Sequence, residues 1–308
     1  MINPAQEKIL VIKLGALGDF IQALGPMAAI RKHHPQADIT LMTTTPYRDF
    51  AEGCGNFNRV WIDGRPGKLN ITGWMNLRKQ LAGEKFTRVY DLQNNDRTAM
   101  YFKLLSGPQK PEWVGAVKGA SHCNDSPQRT AGHAFDGHVQ TLALAGITDI
   151  QIDDLSWIKA DIANFNVAAP YVIFVPGSSP QHPEKRWPAM HYSALSKSLL
   201  AQGKNVVLLG GKDDADATGA IQKENPACMN LTGRTSLFQI AALARNASAA
   251  VGNDTGPMHL VAATGCPCIA LYSKNSSPVK HGLKGARVQI IQKDNLADLA
   301  PEEVLKKL

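Results

Sequence analysis

Gly252-Asn253-Asp254-Thr255-Gly256-Pro257-Met258-His259 joins an amide, a carboxylate, a hydroxyl and an imidazole to two glycines within eight residues. It follows the apolar run Ala249-Ala250-Val251 and precedes Leu260-Val261-Ala262-Ala263, so it reads as a strand-to-helix turn with Pro257 at the first helical position. A helix start presents unpaired backbone N–H groups and a positive dipole end, which together attract an anion. Gly256 would let a phosphate come close to the backbone. An ordinary capped turn uses the same residue types, and this stretch alone leaves both readings open.

Four further segments fall where strands should end. Lys13-Leu14-Gly15-Ala16-Leu17-Gly18-Asp19-Phe20 carries Gly-x-x-Gly but not the Gly-x-Gly-x-x-Gly of a dinucleotide loop. The nearest suitable acid, Asp38, opens the next strand rather than ending it, which argues against a dehydrogenase. Asp19 could cap the following helix or act as a general base on an attacking hydroxyl. Residues 175–188 join Gly177, Ser178 and Ser179 to Lys185, Arg186 and Trp187. Small hydroxyl residues at a strand end suit phosphate cradling, and a cation offsets a leaving diphosphate where no metal does so. The alternative is a solvated basic loop, and Trp187 is expected to be a packing anchor in either case.

Gly210-Gly211-Lys212-Asp213-Asp214 places carboxylates where they could accept from ribose hydroxyls or simply favour a helix start. Asp91-Leu92-Gln93-Asn94-Asn95-Asp96-Arg97 could contact a hydroxylated acceptor, or be plain turn chemistry. Cys266-Pro267-Cys268 lacks a matching second pair and reads as buried structure, and His133 and His138 fit no metal-ligand spacing.

The elements that must position these loops alternate. Apolar runs at 8–12, 38–42, 60–62 and 88–92 predict strands, with a helix over 20–33. The pattern restarts at 171–175 and 205–209, with helices over 191–202, 215–224 and 237–245 and later strands at 249–251 and 268–271. Alternation of this kind gives parallel strands with ligands at their carboxyl ends. The expected organisation is α/β, with two Rossmann-like domains facing each other across a central cleft: residues 1–165 for an acceptor and 166–294 for a donor. A charged helix near 295–308 is expected to pack back on the first domain. Residues 107–136, rich in Gly, Pro, Ser and His, read as a long irregular segment over the first domain.

Composition narrows the partners. At 308 residues the chain suits two domains of about 150 residues each. No apolar run approaches the roughly 20 residues of a membrane span, and residues 1–7 lack the features of a secretory leader, so a cytoplasmic location is expected. Five scattered cysteines suggest no disulfide framework. A net charge of +7 favours nucleotide diphosphates, phosphorylated lipids or an anionic membrane surface. The cations are dispersed and no recognition motif accompanies them, so nucleic acid is not an expected partner.

Taken together, Lys13 to Phe20, Lys185-Arg186-Trp187-Pro188 and Asp254-Thr255-Gly256-Pro257-Met258-His259 resemble glycosyltransferase family 9, the heptosyltransferases of the bacterial lipopolysaccharide inner core. Asp91-x-Gln93 resembles a family segment that usually continues to a Lys, where this chain has Arg97, and His138 resembles a family position at a helix start. The resemblance implies a GT-B fold and inverting, metal-independent transfer from ADP-L-glycero-D-manno-heptose, a substrate rather than a cofactor. It implies Asp19 as base and Lys185 on the donor diphosphate, helped by Arg186. Ser178 and Ser179 would stand near phosphate, with Asp254, Thr255, Gly256, Pro257, Met258 and His259 as the donor loop and Asp213 or Asp214 at the ribose. Lys13, Gly18, Asp91, Gln93 and Arg97 would lie on the acceptor side. The acceptor would be lipid A-Kdo or a core oligosaccharide, reached by peripheral contact with the cytoplasmic face of an anionic inner membrane. The competing readings are a GT-B transferase or epimerase for another nucleotide sugar, and a non-catalytic nucleotide-sugar binding protein.

Overall fold

The computed structural model describes residues 7–107, 110–179 and 181–308. Residues 1–6, read above as part of a segment without a leader, lie outside the described residues, as do Pro108 and Gln109 of the 107–136 segment and Pro180 of the 175–188 loop. The chain divides into two compact units, Met1–Asp153 and Asp154–Leu308.

The first unit runs β1 (Lys8–Ile12), α1 (Leu17–His33), β2 (Asp38–Thr43), α2 (Arg48–Gly53), β3 (Arg59–Ile62), α3 (Ile71–Gly83), β4 (Arg88–Asp91), α4 (Asp96–Leu104), β5 (Glu112–Gly115), β6 (His122–Cys123), α5 (Gln128–Ala131) and α6 (Ala134–Ala143). Its sheet has the order β3-β2-β1-β4-β5-β6, with every pairing parallel. The central strand β1 is paired on both sides, and Ile9, Leu10, Val11 and Ile12 are wholly buried. That is why it reads as a continuous apolar run rather than an alternating one.

The second unit runs β7 (Tyr171–Val175), α7 (Ala189–Ala201), β8 (Asn205–Leu208), α8 (Ala215–Glu224), β9 (Met229–Asn230), α9 (Leu237–Asn246), β10 (Ala249–Asn253), α10 (Gly256–Ala263), β11 (Cys268–Tyr272), α11 (Pro278–His281), β12 (Val288–Gln292) and α12 (Pro301–Leu305). Its order, β12-β11-β10-β7-β8-β9, is that of the first unit repeated: the first three strands extend one way from the centre and the next three the other. Each unit therefore has one switch point, between β1 and β4 and between β7 and β10, and the crevice at the carboxyl ends of those strands is where such sheets take ligands.

Three expectations are corrected. Residues 107–136 are not simply an irregular cover: they supply β5 and β6, which extend the sheet to its edge. Strands of four and two residues are too short to show a period, although Trp113 and Val114 of β5 are buried. The boundary falls at 153/154 rather than 165/166, because residues after 153 pack on α9. Leu155 and Ile158 are buried, their carbonyls accept from the Arg245 guanidinium, and Trp157 meets Phe238 edge-on. The C-terminal segment joins the second unit's core rather than packing back on the first domain. Leu296, Leu299 and Val304 are buried with Trp187, Leu195 and Leu199, and Trp187 Nε1 donates to Leu299 O at 2.9 Å. Among the described residues no helix is long and apolar enough to cross a membrane.

Candidate active site

In the second unit the switch point is held by Asn253, the last residue of β10, which is wholly buried. Its Oδ1 accepts from Trp187 N at 3.0 Å and from the Tyr192 hydroxyl at 3.2 Å. Its Nδ2 donates to Pro176 O at 2.6 Å and Gly177 O at 3.3 Å. One side-chain amide thus fixes the loop leaving β7 against the end of β10. Gly252 beside it is required by packing: a Cβ there would lie 2.5 Å from Met258 Sδ. Met258 is fully buried on that glycine, so it anchors α10 to the strand rather than facing a ligand, a correction to its expected donor role.

This frame brings Lys185 and Asp254 together. Lys185 Nζ donates to Asp254 Oδ2 at 3.1 Å, and the same oxygen accepts from Ser276 Oγ at 2.8 Å. Thr255 is the residue before α10 and makes no side-chain cap, and Pro257 falls in the helix's first two positions. Gly256 opens the helix and His259 is buried within it. A cation and a helix N-terminus therefore meet at one switch point, the arrangement expected of an anion site. Arg186 serves the loop itself: its guanidinium donates to Ser178 Oγ at 3.2 Å and Ser178 O at 2.9 Å. Ser178 is buried and donates in turn to His182 O at 3.0 Å, whereas Ser179 is exposed, bonded to Gln181. Trp187 is the packing anchor expected.

The paired carboxylates separate. Asp214 Oδ2 accepts from Gly211 N at 2.9 Å, and its carboxylate fills the space of a Cβ on Gly177, 2.1 Å from that position. It is a piece of the loop architecture, while Asp213 stays exposed to solvent. Ser276 was missed by sequence reasoning. Its signal was the polar run Ser273-Lys274-Asn275-Ser276-Ser277 directly after an apolar strand, next to β10 in the sheet.

In the first unit, the loops at the β1/β4 switch point are cross-linked in the same manner. Lys13 is buried and its Nζ donates to Leu92 O at 3.1 Å. Leu14 N donates to Gln93 Oε1 at 2.8 Å, and Asp91 Oδ1 accepts from Gln93 N at 3.0 Å and Asn94 N at 2.8 Å. Burial lowers the pKa of Lys13, an effect opposed by the charges of Asp19 and Asp91, and burial raises that of Asp91. Lys13 and Asp91 thus form the floor of the switch point rather than ligand contacts, a correction to their expected acceptor-side role. Asn94 (φ 49°) and Asn95, whose side chain caps α4, are turn residues. Gly18 and Asp19 lie half-buried in the first turn of α1. Arg97 lies away from the floor, 5.7 Å over the Trp74 ring, donating to Pro66 O at 3.3 Å.

Above this floor lies a cavity of about 580 Å³, lined by residues following β1 to β4, among them Gly15, Thr45, Tyr47, Asp63, Arg65 and Gln93. Of the expected acceptor-side residues only Gln93 lines it. Buried Asp63 accepts from Arg65 N at 2.8 Å and the Tyr101 hydroxyl at 2.5 Å, and so shapes the wall. These residues were missed, although the polar turn Asp63-Gly64-Arg65 directly follows the predicted third strand. His138 is buried in α6, and burial first, then the charges of Lys13, Arg129 and His133, pushes its pKa down to about 3. No group of three or more His, Cys, Asp or Glu among the described residues is placed to hold a metal, and Cys266 and Cys268 are buried thiols.

Two tandem Rossmann-like units, each gathering its polar loops at the switch point, define the GT-B class of α/β enzymes. The sequence model of glycosyltransferase family 9 (heptosyltransferase) matches residues 74–307. The chain is 27% identical to lipopolysaccharide heptosyltransferase 2 of Salmonella typhimurium over an alignment of 345 residues covering 98% of this chain and 97% of that protein. It is 35% identical to lipooligosaccharide heptosyltransferase 2 of Haemophilus ducreyi over 298 residues, 87% of this chain and 84% of that protein. The solved structure of E. coli ADP-heptose LPS heptosyltransferase II superposes with a TM-score of 0.77 at 25% identity, covering 97% of each chain. The chain belongs to glycosyltransferase family 9, the heptosyltransferase family of lipopolysaccharide core assembly, and is a glycosyltransferase.

Proposed function

We propose that this enzyme moves a heptose from ADP-L-glycero-D-manno-heptose to a hydroxyl of the lipopolysaccharide inner core, with inversion and without a metal. The observation that carries the reading is the meeting of Lys185, Asp254 and the start of α10 at the second unit's switch point. In this reading the donor diphosphate lies there, with Thr255, Gly256 and His259 beside it and Ser178 and Ser179 in the facing loop. Asp213, the exposed member of its pair, meets the ribose. The name of the E. coli structural relative supports ADP-heptose as donor.

Asp19 takes the proton of the acceptor hydroxyl as that oxygen bonds to the anomeric carbon. The bond from this carbon to the diphosphate oxygen breaks, and ADP departs with the electron pair. Lys185 and the α10 N–H groups stabilise the charge that develops on the leaving oxygen. Attack on the face opposite the diphosphate inverts the anomeric centre. The acceptor, lipid A-Kdo or a core oligosaccharide, enters the cavity at the ends of β1 to β4, and the enzyme works in the cytoplasm at the inner membrane's inner face.

The test has two arms. Calorimetric titration with ADP, UDP and GDP in EDTA should favour ADP. Incubation with ADP-heptose and a Kdo-bearing acceptor should yield a glycoside whose anomeric configuration, read by NMR, is opposite to the donor's. A preference for UDP would point to another sugar donor, epimerised free product to an epimerase, and tight ADP binding without turnover to a binding protein. Loss of activity in EDTA, restored by a divalent ion, would reject metal independence.

A further inference from the structure

The stretch from 64 to 83 joins cations to exposed apolar side chains. It contains Arg65, Lys68, Arg78 and Lys79 and no Asp or Glu. It also holds the three most exposed large apolar side chains of that unit's described residues: Leu69 at 94%, Ile71 at 71% and Met75 at 65%. In α3, Leu77 and Leu81 are buried against the sheet with Trp74 packed beside them. Ile71, Met75, Arg78 and Lys79 fall at i, i+4, i+7 and i+8, which places them together on one exposed face beside the buried stripe. Asn70 caps the helix by accepting from Gly73 N at 2.8 Å, so Leu69 and Lys68 are held at its mouth.

Isolated apolar side chains on a surface need no explanation, but a cluster ringed by charge of one sign does. Three apolar side chains that would enter an acyl boundary, flanked by cations that would meet phosphate headgroups, form the layout of an interfacial helix. The same stretch contributes to the cavity: Arg65 is in its wall, and Leu69 follows four residues later.

We propose that Lys68, Leu69, Ile71, Met75, Arg78 and Lys79 form a docking surface for an anionic phospholipid bilayer. Docking here would hold a lipid-linked acceptor with its lipid in the membrane and its sugar at the cavity. The link to the acceptor rests on the function proposed above, whereas docking itself is independent of donor and acceptor.

Co-sedimentation of the full chain with substrate-free vesicles tests it. The protein should bind vesicles of equimolar phosphatidylcholine and phosphatidylglycerol, bind pure phosphatidylcholine weakly, and dissociate as salt rises. Leu69→Ser/Ile71→Ser/Met75→Ser should lower vesicle binding by about tenfold or more, and so should Arg78→Glu/Lys79→Glu. Lys197→Glu/Lys223→Glu, exposed cations of the second unit, should bind like the parent. Unchanged far-ultraviolet dichroism and ADP affinity would show that the variants fold. Parent protein that stays in the supernatant with anionic vesicles, or a triple serine variant that pellets with them as well as the parent, would overturn the assignment. Because no sugar donor or acceptor is present, a failure here is separate from a failure of the heptosyl-transfer assay.

Discussion

Lys185 and Asp254 stand 69 positions apart in sequence, yet the Lys185 ammonium donates to the Asp254 carboxylate at 3.1 Å, beside the start of α10. The side chains are 21% and 11% exposed, and the carboxylate is also held by Ser276. The pair aims the ammonium across the switch point. The pair is largely withdrawn from solvent, so removing the ammonium would leave the Asp254 carboxylate to Ser276 alone and cost about 1 to 3 kcal/mol. Lys185→Ala should therefore lower the melting temperature by a few degrees, while kcat/KM falls by about a hundredfold or more, beyond what the stability loss explains. ADP should bind about tenfold more weakly. Steady-state kinetics, calorimetry and thermal melting check the three together. Equal losses of stability and activity would mean that the pair is only structural.

The base role proposed for Asp19 separates chemistry from donor binding. Asp19→Asn preserves size and hydrogen bonding but cannot take a proton at neutral pH. ADP affinity should match the parent, and turnover should fall by about 10² to 10⁴. Transfer at the parent rate would exclude Asp19 as the base.

Asn253 tests the frame rather than the chemistry. Asn253→Ala would leave Trp187 N, the Tyr192 hydroxyl and the carbonyls of Pro176 and Gly177 without their partner in a buried setting. A loss of about 2 to 4 kcal/mol is expected, read by urea unfolding, together with weakened ADP binding because the β7 loop is released. A variant as stable as the parent would show that water replaces the amide there.

His138 makes the first unit acid-sensitive. Its pKa is about 3 in the folded protein, against roughly 6.5 in the unfolded chain. Between these values only the unfolded chain takes up the proton, so its contribution to stability is present above about pH 6.5 and is lost progressively as pH falls towards 3. Thermal melts from pH 7 to 4 should fall more steeply for the parent than for His138→Gln, which has no proton to gain. Parallel curves would contradict this.

Much of the fold was legible because the central strands of both sheets are covered on both faces, so β1, β7 and β10 appear as unbroken apolar runs. Edge strand β3 was legible at 60–62, but β5, β6 and β12 were not. β5 and β6 are too short for a period, and β12 alternates buried and open positions imperfectly. In the site, Lys185, Asp254 and Asp19 were named as candidates from residue type, position and resemblance, and the structure brings the first two together. Met258 shares the motif with Asp254, and only packing on Gly252 shows that it faces the core.

By itself the sequence determined the strand-helix alternation, the glycines and the charged residues at strand ends, because these follow from local periodicity and backbone preference. Only the tertiary structure decided which residues meet. It paired Lys185 with Asp254, turned Arg186 inward to Ser178, and divided Asp214, packed on Gly177, from exposed Asp213. It also placed the C-terminal leucines in the second unit's core. Those choices depend on contacts between segments far apart in the chain, where burial and close packing select one partner among many chemically similar ones.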